Sequence, residues 1–198
     1  MTLRLKPFLA VALSVLGAVS TPAAPQDAGW FVGAAGGQSR AKEGCGTIGA
    51  LGVECDDRGA AWRVFGGYQF NNYIGYEIAY TDLGKVPERN TPGVTTVTFE
   101  PTAIETVLFL ALPLGEQLSV FFKGGIFRWE LDRTITGTGA GTTNASANDV
   151  TWGLAGSYKL NRSVALRLDW QRYKDIGDPA VTGKTDFETL MLGVSFKF

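Results

Sequence analysis

An apolar residue at every second position, carried through to Phe198, limits this chain more than any other feature of its sequence. Leu190, Leu192, Val194, Phe196 and Phe198 share one side of an extended strand, and Met191, Gly193, Ser195 and Lys197 share the other. A soluble domain usually ends in a polar, poorly ordered tail. An apolar strand closing on an aromatic therefore points to a sheet that needs its last strand, against the plainer reading of an ordinary edge strand.

The same alternation recurs in segments of roughly ten residues separated by turn signals, the pattern of antiparallel strands. Eight strands are expected: Trp30 to Lys42, Ala60 to Phe70, Tyr73 to Leu83, a fourth ending in Ile104 to Leu112, Leu118 to Asp132, Val150 to Leu160, Ser163 to Tyr173, and the terminal strand. Gly124-Gly125 reads as a bulge able to exchange the faces of the fifth. Asn71-Asn72, Pro113 to Glu116 and Asn161-Arg162 read as tight turns, the asparagines by virtue of tolerating positive φ. Long loops are expected at Glu43 to Gly59, Pro87 to Gly93, Thr134 to Asn148 and Asp175 to Thr185, the third too polar to pack and therefore exposed.

Mid-strand charges decide what kind of sheet this is. Arg63, Glu77, Glu105, Lys123, Arg167 and Asp169 all fall on the parity opposite Trp62, Tyr68, Tyr76, Trp152 and Trp170. A basic residue facing lipid at the midplane costs roughly 2 to 4 kcal/mol, so in a membrane this parity points inward. A soluble sandwich would reverse it. Short and long connections also alternate, as in barrels with short turns on one side of a membrane and long loops on the other. The fold expected is all-β: an eight-stranded antiparallel transmembrane up-and-down β-barrel. Eight strands leave room for side chains and little else. The inward charges then neutralise one another as a filling, or form an ion path that opens by exchanging partners.

Arg4 and Lys6 precede an apolar run from Phe8 to Val19 and a small-residue stretch, Ser20 to Ala24, which reads as a cleavable signal peptide over residues 1–23 before a barrel domain over 24–198. Removing Arg4 and Lys6 from the 18 basic residues leaves 16 against 19 acidic ones, a net charge of −3 that offers no footprint for nucleic acid. Cys45 and Cys55 lie in one Gly-rich loop, and in an oxidising compartment they should pair, a constraint worth about 2 to 3 kcal/mol. With no histidine and two thiols, a zinc site would lean on carboxylates, so no metal is assigned. Serines and carboxylates alone lack the general base that activates a nucleophile at neutral pH, so no catalytic or cofactor residues are assigned either.

Two resemblances sharpen this reading. Gly193, Phe196 and Phe198 resemble the terminal signal by which outer-membrane barrels of Gram-negative bacteria are recognised for assembly, although Met191 stands where that signal usually has a polar residue. Gly66 to Asn71, Gly75-Tyr76-Glu77, Ser157 to Asn161 with Ala165 to Arg167, and Leu192 to Phe196 look like the eight-stranded transmembrane domain of the outer membrane protein A family. The likeness implies the Gram-negative outer membrane, its lipid and lipopolysaccharide, and the barrel-assembly machinery as partners. The family's peptidoglycan-binding domain is not expected here, since the chain stops at the terminal aromatic. Lipid A-modifying barrels rely on histidine, which this chain lacks. The function expected is a structural or surface-interaction barrel with a charge-paired plug and external loops open to a host or surface ligand. The alternative is a small channel or conduit for ions or hydrophobic solutes.

Mass spectrometry of unreduced protein from outer membranes is expected to find Cys45 and Cys55 bridged; two free thiols would contradict this. Changing Phe198 to a polar residue should lower the amount of heat-modifiable, assembled protein, whereas an unchanged yield would count against the outer-membrane reading.

Overall fold

A computed structural model describes residues 28–42, 57–91, 95–137, 140–177 and 184–198, and of 86–91 and 95–97 the backbone alone. Nine strands follow one another: β1 (Gly29–Ala41), β2 (Arg58–Gln69), β3 (Ile74–Asp82), β4 (Val86–Thr91), β5 (Thr95–Pro113), β6 (Leu118–Gly137), β7 (Gly141–Lys159), β8 (Val164–Ile176) and β9 (Thr185–Lys197). Every pairing is antiparallel. β1 pairs with both β2 and β9, and β3 pairs with β5, so all the strands except β4 close into an eight-stranded barrel.

The alternation read from the sequence becomes the two faces of this wall. Outward positions carry Val64, Ile78, Leu108, Phe122, Leu154 and Leu192, all exposed. Aromatic pairs border this apolar band: Trp30 against Tyr68 at the end where β1 begins and β9 ends, Trp62 against Tyr80 and Trp152 against Trp170 at the other. Inward positions carry a packed interior. Its two apolar layers comprise one around Phe31, Phe65, Phe109 and Met191 and another around Phe127, Trp129, Tyr173 and Phe187.

Three interior rings lie over glycine. Phe31 faces Gly67, Phe65 faces Gly33 and Phe109 faces Gly75 as direct cross-strand partners. A Cβ at Gly33 would strike the Phe65 ring, and one at Gly75 the Phe109 ring. Small against large across the wall is how a narrow barrel is filled.

Three short turns, which we assign to the periplasmic side, share one hydrogen bond: the amides of Phe70, Leu114 and Leu160 donate to the carbonyls of Ile74, Leu118 and Val164. Asn71 and Asn161 act here through their side chains rather than through positive φ. Each Oδ1 accepts from two backbone amides, those of Tyr73 and Ile74 and those of Ser163 and Val164, while Asp175 is the one non-glycine with positive φ among the described residues.

Three further expectations are corrected. Of the expected Pro87 to Gly93 loop, the residues up to Thr91 are strand, because β4 pairs with the outer part of β5; a register shift between Pro87 and Arg89 accommodates the missing proline N–H. The described part of the Thr134 to Asn148 stretch is largely exposed, as expected, but residues 134–137 and 141–148 are strand. The β6–β7 ladder runs unbroken to Ile135 opposite Gly141, favoured by β-branched threonines. Gly124-Gly125 forms no bulge, since both ladders of β6 pass through it in register. Gly125 instead allows close approach to Val107, whose Cα would lie 2.7 Å from an added Cβ. The parity of β6 therefore holds beyond Lys123.

Replacing Gly75 by valine should displace the Phe109 ring and destabilise the barrel by about 1 to 3 kcal/mol in urea unfolding, as overpacking does. Adding Phe109→Ala to that variant is expected to recover part of the loss.

Candidate functional site

The six charged residues picked out from the sequence come from five strands and meet in one place. β2 supplies Arg63, β3 Glu77, β5 Glu105, β6 Lys123 and β8 both Arg167 and Asp169. All six are buried. Arg63 lies 2.8 Å from Glu77, 2.5 Å from Glu105 and 3.7 Å from Asp169. Lys123 lies 2.6 Å from Asp169 and 3.6 Å from Glu77. Arg167 lies 2.6 Å from Glu77 and 2.9 Å from Asp169. Each carboxylate thus faces at least one cation, and the cluster holds three charges of either sign.

Strand parity and cross-strand size matching put these long side chains where they are. Arg167 sits opposite Gly193, Glu77 opposite Gly67 and Lys123 opposite Gly153, so these three head groups each reach over a residue that leaves room. The apolar layers flank the cluster. Arg167 stacks on the Phe65 ring at 4.5 Å and lies 5.7 Å from that of Phe121, which seats the charge group directly on the layer below.

Several neutral residues belong to the same network without having been singled out. Gln171 Nε2 donates to Glu105 Oε2 and to Thr151 Oγ1, both at 2.9 Å, and the Thr81 and Tyr173 hydroxyls lie 3.2 Å apart. Their parity marks them as inward, but an uncharged side chain at an inward position carries no further signal. A cavity of about 280 Å³ opens at the mouth that bears the short turns, with Phe31, Phe109, Phe121 and Arg167 among its lining residues.

The three terminal-strand residues are placed differently from one another. Gly193 faces inward, where an added Cβ would lie 2.6 Å from that of Ala35. Phe196 and Phe198 face outward and are exposed, and the Phe198 amide donates to the Trp30 carbonyl at 3.0 Å. Gly193 therefore has a packing reason independent of any recognition role. Cys45, Cys55 and the segment read as a signal peptide lie outside the described residues.

Residues 25–198 match the family model described as the OmpA-like transmembrane domain. Outer membrane protein A of Salmonella typhi is 31% identical over 199 residues, covering 98% of this chain and 55% of the relative, so the chain spans about half the length of the curated relatives it matches. Among solved structures, Neisserial surface protein A aligns with a TM-score of 0.61 at 16% identity over 86% of this chain and 99% of that one. The attachment invasion locus protein of Yersinia pestis aligns at 0.56 and 16% identity over 87% and 98%. These two likenesses are of fold. The lipid-facing band, the closed wall and the relatives together place the protein in the outer membrane of a Gram-negative bacterium. From residue 25 through Phe198, the protein belongs to the OmpA-like transmembrane domain family.

Proposed function

We propose that this is a structural or surface-interaction barrel, not an enzyme, whose lumen is closed by its ion cluster and whose external strands and loops meet the surroundings of the cell. The balanced cluster of Arg63, Lys123 and Arg167 with Glu77, Glu105 and Asp169, packed between two apolar layers, is the observation that carries this reading. Charges paired this closely fill a narrow lumen without leaving a continuous water path. In the same reading, residues 1–23 direct export and Cys45 and Cys55 staple the first external loop. Gly193, Phe196 and Phe198 present the closing strand to the barrel-assembly machinery, and the outward wall meets lipopolysaccharide on its external side. An adhesive or surface ligand would be taken by the β4–β7 extension and the loops beside it.

A second reading, a small gated channel, has one observation in its favour. Lys123 and Arg167 each lie within 4 Å of both Glu77 and Asp169, so partners can be exchanged without unpairing a charge fully. The cavity at the periplasmic mouth ends on Arg167.

Planar-bilayer recording of the refolded protein separates the two: the plug predicts no sustained conductance. Glu77→Gln leaves Arg167 and Arg63 short of a partner, a loss of about 3 to 5 kcal/mol when a buried pair is broken, and should lower the urea midpoint. Adding Arg63→Gln should restore part of it. Wild-type stability together with raised conductance in Glu77→Gln would favour the channel.

A further inference from the structure

The two ends of the lipid-facing wall differ in charge. At the periplasmic end, the outward residues Trp30, Tyr68, Ile74, Leu112, Leu118 and Phe196 carry none. At the external end the apolar band stops at a charged row. Arg58 on β2 pairs in register with Arg40 on β1, Arg40 with Glu188 on β9, and Glu188 with Arg172 on β8. All four side chains have the outward parity, and the row rests on the aromatic belt, since Trp152 lies opposite Arg172 in the β7–β8 ladder.

We propose that Arg172, Arg40 and Arg58 form a binding site for the phosphates of a phosphorylated saccharide lipid in the outer leaflet, the lipid A head group of lipopolysaccharide. Strands lie about 4.8 Å apart, which sets Arg172 about 10 Å from Arg40 and about 14 Å from Arg58 along the row. That spacing suits a disaccharide with a phosphate at either end. The guanidinium groups are held in place by carboxylates: Arg172 by Asp186 at 2.6 Å, and Arg40 by Asp57 through Nε at 2.7 Å. A guanidinium has five N–H donors, so such pairing orients the group and leaves donors for a phosphate, which it can take in two-point fashion. Arg40 and Arg58 are well exposed, with 59% and 65% of their side chains accessible. Trp152 and Trp170 stand beneath, where a sugar ring meets the acyl chains. The opposite wall carries Asp82, Glu100 and Glu130 at comparable outward positions, with Arg128 beside them and Lys85 paired to Glu100 at 2.6 Å, so the three arginines gather on one side of the barrel. The site rests on the reading that this wall meets lipopolysaccharide, and it names the residues that would hold it.

The test titrates refolded protein in micelles with diphosphoryl lipid A and with the same lipid after enzymatic removal of its phosphates, followed by tryptophan fluorescence. The wild type should bind the phosphorylated lipid at least tenfold more tightly. Arg40→Gln/Arg58→Gln/Arg172→Gln, with folding checked by heat-modifiable mobility, should lose that preference, while Lys159→Gln/Arg162→Gln at the periplasmic end should keep it. A triple variant that still prefers the phosphorylated lipid would overturn the site and leave the lipopolysaccharide reading standing. Equal wild-type binding of both lipids would overturn the phosphate site alone, and no binding of either would overturn the lipopolysaccharide reading with it; neither outcome needs a variant to fold. The single Arg58→Gln change, at the most exposed of the three arginines, gives a milder second measure and should weaken phosphorylated lipid binding alone.

Discussion

Closure of the backbone hydrogen-bond ladder is the constraint on which everything else in this protein depends. In hydrocarbon an unpaired N–H or C=O costs several kcal/mol, so a sheet crossing the membrane can have no open edge. The β1–β9 and β3–β5 seams remove both edges within the barrel. Closure fixes parity as well, because a slip of one residue would turn every lipid-facing side chain inward. The unbroken register of β6 through Gly124 and Gly125 follows from the same demand: a bulge there would put Lys123 and Ile126 at odds with their faces.

A closed wall of eight strands encloses a space too narrow to be left to water and too confined to bury charge singly. The protein meets this with cross-strand size matching and charge balance. Glycines at 33, 67 and 75 receive phenylalanine rings, and those at 67, 153 and 193 also lie opposite charged residues. Burying six ions carries a desolvation penalty that their mutual attraction offsets only with close geometry. Contacts of 2.5 to 2.9 Å between Arg63, Lys123, Arg167 and their carboxylates provide it. Apolar layers on either side keep the group compact and give Arg167 an aromatic seat.

Beyond the membrane the constraint relaxes. β5, β6 and β7 run past the rim of the barrel, where water can satisfy backbone groups, and β4 adds to the outer part of β5. Side chains there no longer alternate between lipid and lumen, so polar residues occupy both faces. The charged row of Arg172, Glu188, Arg40 and Arg58 marks the height at which the wall leaves hydrocarbon.

The sequence by itself determined the number of barrel strands, their antiparallel order and which side chains point inward, because a two-residue period in a membrane-spanning strand admits one assignment of faces. It also identified Arg63, Glu77, Glu105, Lys123, Arg167 and Asp169 as interior, since lipid tolerates no such charges on the other parity. It did not separate loop from strand at Val86–Thr91 or Gly141–Asp149, where polar residues on both faces erase the period. Nor did it reveal that the six charges form one cluster. Strand stagger sets which inward residues share a height, and only the closed barrel brought Glu105 of β5 to Arg63 of β2 and Lys123 of β6 to Asp169 of β8.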